Sequence, residues 1–367
     1  MAKAKRKTLP KDFAELVRAG DAGRIRAVFD SCALDATGGY EKDTALAFVG
    51  LPEEVTRWLV EQSADVNARN SYQRTPLHRL AGHWQGEIAL LLELGADPNA
   101  ADQKGQTPLH FAARVGNEAA VRALLAAGAD PGARNDAGQT PLQLALDQCH
   151  NAQIARVARV AEVLLDATPA KPAGLLGRLL GRVPVNPASA PRLAEAVVRI
   201  GEQFEFHRAG FNPDTVDEAD AGLQRLYELF GVPPVPRRVM HDGKARIDPG
   251  PGSWQDQHQA LWELLVPSSG AAATVQGEVI RLSGRIDYEI AVNGGANWDE
   301  GYRKMADALL IHLASGTPLS EAEQAEAATA VRNVRTKDDA SLLCELAVAW
   351  VTRNPQPVAL GRVAYNR

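Results

Sequence analysis

The sequence predicts an all-α protein, in which a stack of repeated helix pairs is followed by a second helical domain that has no repeat. The first observation is a tetrapeptide that returns at a nearly constant interval. Thr44, Thr75, Thr107 and Thr140 begin the segments TALA, TPLH, TPLH and TPLQ, which are 31, 32 and 33 residues apart. The second observation is that the chain after position 191 keeps apolar side chains at helical spacing but loses this interval. Such a period is typical of a solenoid, whose units stack on their neighbours.

A second motif keeps step with the first and completes the repeating unit. The segments SADVNA, GADPNA and GADPGA begin at Ser63, Gly95 and Gly128. Within one unit, Thr107 is placed to cap a helix, and Pro108 takes the first helical position, where its missing N–H costs nothing. Gly128 is placed to end the second helix in the left-handed conformation that glycine favours. Each unit is therefore predicted to be two helices followed by a hairpin turn.

Two motifs that recur in phase at this period resemble the ankyrin repeat. The resemblance implies a solenoid of about five units between Asp12 and Ala167, whose first and last units are atypical caps. The first cap lacks the TPLH segment, and the last unit is stretched and more charged. In the family the histidine of this segment is a structural hydrogen-bonding residue. His78 and His110 are therefore expected to support the fold.

The composition divides the chain into four parts. Residues 1–11 are expected to form a flexible basic N-terminus, and 12–167 form the ankyrin-repeat domain. Residues 168–191 are rich in Pro, Ala and Gly and read as a linker, whose segment GLLGRLLGR is expected to dock on one of the domains. Residues 192–367 are predicted to form the α-helical domain.

The charge and the cysteines limit the class of protein. The net charge of −5 argues against a general nucleic-acid binder, which needs a basic surface. No secretory signal or membrane-length apolar run is found, so no membrane partner is expected. Cys32, Cys149 and Cys344 have no metal-binding spacing and read as buried thiols in a reducing compartment. The sequence thus predicts a cytoplasmic protein without a metal or cofactor.

The resemblance also implies where a partner binds. In the ankyrin family the hairpin tips and the exposed side of the inner helices usually meet the partner, on the concave face of the stack. Carried over by position, the predicted partner-binding residues are Tyr40, Glu41, Asp43, Tyr72, Arg74, His83, Trp84, Lys104, Gln106, Arg114, Asp136, Gln139 and Asp147. The set contains Tyr, Trp and Arg, the types that most often anchor interfaces. Trp84 is the sharpest candidate, although folding back over the neighbouring helix pair is an equal alternative.

The helical domain offers two polar features. The segment from Arg237 to Arg246 is predicted to be an ordered loop with a basic surface. Asp287, Glu289, Asp299 and Glu300 form the densest acidic cluster, and paired carboxylates can do acid–base work or hold a metal. The structural alternative is favoured, because an Asn-Gly-Gly turn and two acids in the first turn of a helix serve the local fold. No phosphate loop, nucleophile elbow or metal motif supports an enzyme.

The sequence therefore predicts a non-enzymatic module that recognises one cognate protein through the ankyrin concave face. The architecture resembles bacterial immunity and adaptor proteins. An immunity role would be steric, with the concave face and the 237–246 loop covering a toxin's active site. Two alternatives stay open: a helical-domain enzyme whose substrate the ankyrin array recruits, and a scaffold of a larger assembly.

Overall fold

The computed structural model describes residues 4–83, 86, 88–168, 191–333 and 340–365. In these ranges it contains sixteen α-helices and one small β-sheet, so the predicted helical class is confirmed. None of the described helices is both long enough and apolar enough to cross a membrane. The chain forms two compact units. The first takes in the described residues up to Phe204 and Asn212–Val235, and the second takes in Glu205–Phe211 and the described residues from Pro236 onward.

The first unit begins with strands that the repeat pattern does not predict. Its opening elements are β1 (Arg6–Thr8), α1 (Phe13–Ala19), α2 (Ala22–Ser31), β2 (Cys32–Gly38), β3 (Asp43–Thr44) and α3 (Glu53–Glu61). β1 pairs in parallel with β2, and β2 pairs antiparallel with β3. Leu9 follows β1 and is buried. Residues 6–9 thus differ from the predicted flexible segment, because basic composition does not reveal that a backbone can add to the edge of a strand.

The repeats follow the predicted plan. Their helices are α4 (Pro76–Ala81), α5 (Ala89–Glu93), α6 (Pro108–Val115), α7 (Glu118–Ala126), α8 (Pro141–Asp147) and α9 (Ile154–Ala167). In both TPLH segments threonine precedes the helix and proline is its first residue. The TALA segment forms only a 3-10 turn, Ala45–Ala47, because it lacks that proline and because Gly50, at φ 85°, turns the chain soon afterwards.

The TPLH histidines join neighbouring repeats, as expected. The Thr75 backbone N–H donates to His78 Nδ1 at 3.1 Å, and His78 Nε2 lies 3.0 Å from the Gln106 carbonyl oxygen of the next repeat. His110 makes the same two contacts one repeat later. Nδ1 therefore accepts and Nε2 donates, which requires the neutral ring. Burial lowers the pKa of His78 to about 4 and also lowers the pKa of His110.

The helix α10 (Pro191–His207), as far as Phe204, and the helix α11 (Pro213–Phe230) extend the first unit beyond the repeats. α11 packs along α9, and at Gly222 the backbones are so close that an added Cβ would lie 2.5 Å from Ala155 Cα. This division of the chain differs from the predicted domain start at 192. An apolar stripe predicts that a helix is buried, but not which unit buries it. Residues 169–190 of the predicted linker lie outside the described residues.

The second unit is helical throughout its core. Its helices are α12 (Trp254–Leu265), α13 (Val275–Ala291), α14 (Glu300–Leu313), α15 (Glu321–Asn333) and α16 (Ser341–Arg353). α13 lies at the centre and packs against α12, α14 and α16. The apolar core includes Ile286, Leu309 and Trp350, each of which is almost completely buried.

A buried ion pair lies on the first turns of α13. Glu278 and Arg281 are 0% and 1% exposed, and the Arg281 Nη2 and Nε atoms lie 2.6 Å and 2.9 Å from the two Glu278 carboxylate oxygens. The Ala272 N–H and the Tyr365 hydroxyl also donate to this carboxylate, at 2.8 Å and 2.9 Å. Burial acts to raise the pKa of Glu278, but the hydrogen bonds from Arg281 and Ala272 hold it below its usual value.

Candidate protein-binding face

The hairpin tips of the first unit are joined into a continuous row by backbone hydrogen bonds. The Ser71 N–H donates to the Glu41 carbonyl at 2.9 Å, which links the first tip to the second. The Gln103 N–H donates to the Tyr72 carbonyl at 3.1 Å, and the Asp136 N–H donates to the Lys104 carbonyl at 3.0 Å. Each tip is therefore fixed relative to its neighbours before any partner arrives.

A polar side chain also fixes the inside of each turn. Asn70 Oδ1 accepts from the backbone N–H groups of Tyr72 and Arg74, at 2.9 Å and 3.0 Å. Asp102 plays the same part in the third tip, and Asn135 in the fourth. These three side chains are buried, so the turns are held from within. The exposed side chains of the tips stand on a preorganised backbone.

Two tyrosines lie side by side at the first two tips. The Tyr40 side chain is 90% exposed, the highest value among the large apolar side chains described. The charge of Tyr40, burial and a hydrogen bond that the Tyr72 hydroxyl donates to the Tyr40 oxygen raise the pKa of Tyr72. The two phenols are therefore neighbours, although 32 residues separate them in the chain. An exposed tyrosine beside a half-buried one offers aromatic surface that a partner can bury.

Behind the tyrosines, arginines and acids form a network that crosses three repeats. Arg74 Nη1 lies 3.3 Å from Glu41 Oε2, and its Nε lies 3.4 Å from Asp102 Oδ2. Its guanidinium also stands over the Tyr72 ring at 5.1 Å and over the Phe111 ring at 5.0 Å. Arg74 thus connects the second tip to the inner helix α6 of the third repeat.

A second arginine, Arg79, closes the network from α4. Its Nη1 lies 3.1 Å from Glu41 Oε2, and its Nε lies 3.1 Å from Asp43 Oδ2. The Asn70 amide nitrogen donates to Asp43 Oδ1 at 2.8 Å and holds that buried carboxylate in place. Glu41 and Asp43 therefore neutralise arginines of this unit and are not spare charges for a partner.

The remaining arginine of the face is placed differently. The Arg114 guanidinium stands over the Phe111 ring at 5.1 Å, on the same helix. Its Nε is buried and has no hydrogen-bond acceptor among the residues that the structure describes. Burial lowers the pKa of Arg114, and the positive charge of Arg74 lowers it further. Arg114 has no carboxylate within ion-pair distance among the described residues, but the charge of Asp102 acts on it from farther away and raises its pKa.

The other predicted residues contribute mainly to the scaffold. The Gln106 and Gln139 carbonyls receive His78 and His110, and the Gln139 side chain donates to Asp147 at 2.8 Å. Asp147 also pairs with Arg199 of α10 at 3.0 Å, so its carboxylate is occupied. The His83 carbonyl accepts from the Asn117 side chain. Lys104 and Asp136 are exposed at their tips, whereas Trp84 lies outside the described residues.

Sequence reasoning missed Phe111, Arg79 and Asp102, which support the face from behind, since Phe111 and Asp102 are buried and Arg79 is half-buried. Phe111 and Arg79 occupy equivalent positions, each directly after a TPLH segment. That shared position was the available signal. The residue after the histidine is two positions after the buried leucine and therefore lies on a different side of the helix. The ion pair of Asp102 could not be predicted, because a turn aspartate explains only one of its two oxygens. Oδ1 holds the third turn, whereas Oδ2 lies near Arg74.

The basic loop of the second unit is held by its own backbone partners. Arg238 donates to the carbonyls of Trp262, Glu263 and Val266, at 2.9, 2.6 and 2.6 Å, and so caps the end of α12. Its guanidinium lies 4.3 Å from the centroid of the Phe206 ring. Arg238 therefore stabilises the fold of the second unit, whereas Lys244 and Arg246 are exposed.

The acidic cluster of the second unit also serves the local fold. Glu289 accepts from the Asn293 side chain at 2.9 Å and from the Asn297 N–H at 2.6 Å, so the Asn-Gly-Gly turn wraps around its carboxylate. Asp299 accepts from the Tyr302 N–H at the start of α14, and Glu300 pairs with Lys304 at 2.7 Å. The described residues contain no group of three or more His, Cys, Asp or Glu side chains placed to hold a metal ion.

Comparisons with known proteins agree with the architecture of the first unit. The family model for ankyrin repeats in many copies matches residues 91–145, and the model for the single ankyrin repeat matches residues 72–103. No curated protein matches the chain. The matched residues include both TPLH segments and the helices α4 to α7, whereas the first tip, with Tyr40, lies outside them. Residues 72–145 of this chain are therefore ankyrin repeats, a type of module that binds other proteins.

Proposed function

We propose that this chain binds one cognate protein through a face made of the hairpin tips and the exposed side of the inner helices. The observation that carries the proposal is the row of tips, which hydrogen bonds hold together and which presents Tyr40 to solvent beside the half-buried Tyr72. A fixed backbone lowers the entropy lost on binding, and tyrosine offers large contact area with few rotatable bonds. The proposal assigns the chain no catalytic step.

The chemistry of the face fits a specific partner and not a general one. Aromatic rings stand at the tips, and the paired arginines Arg74 and Arg79 lie behind them with their acids. Such internally neutralised pairs attract no charged surface from a distance, so affinity must come from shape and from buried aromatic area. Ring contacts of this kind make a few side chains dominate the binding energy.

Replacing Tyr40 and Tyr72 together with alanine is expected to weaken binding of the cognate protein by about 100-fold or more, because both rings leave the centre of the face. The partner is first isolated on the tagged full chain from its native cells, and its dissociation constant is then measured by titration. The fold should persist, since Tyr40 is 90% exposed and the tips are held by Asn70 and Asp102.

The matched control is Tyr288→Ala on α13 of the second unit, where the side chain is 58% exposed. This control should bind as the unaltered chain does. If the tip variant keeps full affinity while its thermal unfolding is unchanged, the tips are not the binding face and the proposal fails.

The finer role, an immunity protein that covers the active site of a toxin, is proposed from the resemblance stated above. The cytoplasm is the proposed setting, since Cys32, Cys149 and Cys344 are free and buried, which suits a reducing compartment. Adding the purified chain to the isolated partner should abolish the partner's activity at equimolar ratio. A partner that stays fully active in the complex would exclude the immunity role and leave the binding role standing.

A further inference from the structure

The segment from Pro236 to His241 lies on the surface of the second unit and belongs to neither a helix nor a strand. It runs without a turn or bend as far as Asp242. The Val239 side chain is 77% exposed, the highest value among the large aliphatic side chains that the structure describes, and Met240 beside it is 37% exposed. Apolar area that faces water in the free protein contributes binding free energy when a partner covers it.

Contacts on both sides of Val239 hold this segment in place. The Arg238 guanidinium donates to backbone carbonyls at the end of α12 and to the Phe206 carbonyl, the latter at 3.3 Å. The His241 N–H donates to the Leu264 carbonyl at 2.9 Å, and the His241 side chain is 8% exposed. Because the segment is fixed at these two points, it loses little conformational entropy when a partner binds to it.

The backbone of Val239 and Met240 offers hydrogen-bonding groups that the fold does not use. Among the residues that the structure describes, neither their N–H groups nor their carbonyls have a hydrogen-bond partner. Val358 of the same unit is also exposed, at 55%, but its N–H donates to Gln276 Oε1 at 3.1 Å and its carbonyl accepts from the Val275 N–H at 2.8 Å. An unbent chain with unused backbone groups beside an exposed apolar side chain is a template to which a partner can add a strand.

The charges of this region indicate which strand fits. Between Pro236 and Gly250 the chain carries four cationic side chains and two acids. The two acids hold turns by accepting from backbone N–H groups. Lys244 and Arg246 are exposed and have no carboxylate within ion-pair distance among the described residues. Positive charge remains in excess even when Glu263, whose charge acts on Arg238, is included. An added strand that carries an acid therefore complements this region.

We propose that Val239 and Met240 pair with an extended, acid-containing segment of a partner protein, which adds to this chain as a strand. An apolar side chain of the added strand covers Val239, and its backbone bonds to the N–H and carbonyl groups that the fold leaves unused. Its acidic side chain lies beside Lys244 and Arg246. The tip row belongs to the first unit and this segment to the second, so the inference goes beyond the proposed function and does not depend on it.

The test selects binders from a library of random linear peptides on the full chain. Val239→Asp places a charge at the centre of the segment, so the peptides that bind there should bind this variant about tenfold more weakly or worse. Its thermal unfolding should be unchanged, since the side chain is 77% exposed. The matched control is Val358→Asp, because Val358 is an exposed valine whose backbone is already paired. The control, and the chain with Tyr40→Ala and Tyr72→Ala, should bind these peptides as the unaltered chain does.

Methylation of the peptide backbone tests strand addition without changing the protein. Each N-methyl group removes one N–H donor, and only alternate residues of an added strand bond to the neighbouring chain. Methylation at every second position should therefore weaken binding about tenfold, whereas methylation at the positions between should have little effect. Changing the acid of the peptide to its amide should weaken binding to the unaltered chain about fivefold, but should not change binding to Lys244→Ala/Arg246→Ala.

Three results would overturn the inference. If every retained peptide binds Val239→Asp as well as the unaltered chain, the segment is not a binding surface. Peptides that need Val239 but tolerate methylation at every position would exclude an added strand. Binding of the full chain to vesicles that contain phosphatidylserine, lost in Val239→Asp while no peptide depends on Val239, would assign the segment to a lipid surface instead. None of these results bears on the tip row, so the proposed function is tested separately.

Discussion

Replacing Glu278 with alanine is expected to destabilise the second unit by about 3–5 kcal/mol, because it removes the carboxylate from a buried ion pair and leaves the arginine charge in the core. Glu278 is 0% exposed and receives hydrogen bonds from Arg281, Ala272 and Tyr365. These bonds join the start of α13 to the C-terminal segment, so the substitution should weaken the packing of both segments. Urea unfolding followed by tryptophan fluorescence measures the loss, since Trp254, Trp262, Trp298 and Trp350 lie in this unit.

Two companion variants make the Glu278 prediction specific. Glu300→Ala removes an acid that pairs with Lys304 at the surface, and it should leave stability unchanged within error. The double variant Glu278→Met/Arg281→Met replaces both charges with apolar groups and should recover much of the loss. If Glu278→Ala unfolds at the same urea concentration as the unaltered chain, the buried pair is not a stabilising feature.

Acidification is expected to destabilise both units between about pH 6.5 and pH 4. Burial lowers the pKa of His78 in the first unit and of His258 in the second to about 4, from an ordinary value of 6.5. A histidine with a lowered pKa binds its proton more weakly in the folded state than in the unfolded state. Its full stabilising effect is therefore present above pH 6.5 and is lost as the pH falls towards 4. The loss amounts to about 3 kcal/mol for each ring.

The repeats contain a natural template for testing the histidine effect. At the position of His78 and His110 the fourth repeat has Gln143, whose Oε1 accepts from the Thr140 N–H at 2.9 Å. The variant His78→Gln/His110→Gln should keep that cap and remove both titrating rings. Hydrogen exchange of the first unit should then depend less on pH between 6.5 and 4, while the second unit keeps its full dependence. An unchanged pH dependence in the first unit would show that these rings are not the cause.

The repeats could be predicted from the sequence because their signals are local. Threonine, proline and glycine at fixed spacing set the start and end of each helix pair, and the structure places Thr75, Pro76 and Gly95 in those roles. At Thr44 the predicted inner helix does not form. The same spacing without proline gives a 3-10 turn, so the interval alone does not make the helix.

What could not be predicted depends on contacts between distant residues. The apolar stripes of α10 and α11 indicate burial, but only the close approach at Gly222 shows that α11 packs on α9. The sequence places Arg238 in a loop with a basic surface. In the structure its guanidinium donates to three backbone carbonyls at the end of α12.

The same difference between local signals and distant contacts applies to the predicted binding residues. Tyr40 is exposed and Tyr72 is half-buried beside it, whereas Asp43 and Asp147 pair with arginines that sequence reasoning could not assign to them.

The most direct measurement of the binding claim is photo-crosslinking from the tips in native cells. A benzophenone amino acid replaces Tyr40 in the full chain, and a parallel chain carries it in place of Tyr288 on the second unit. We expect one dominant crosslinked protein from position 40, no such adduct from position 288, and loss of the position-40 adduct when Tyr72→Ala is added. Equal adducts from both positions, or none from position 40 while the partner still co-purifies, would contradict the claim that the tip row is the binding face.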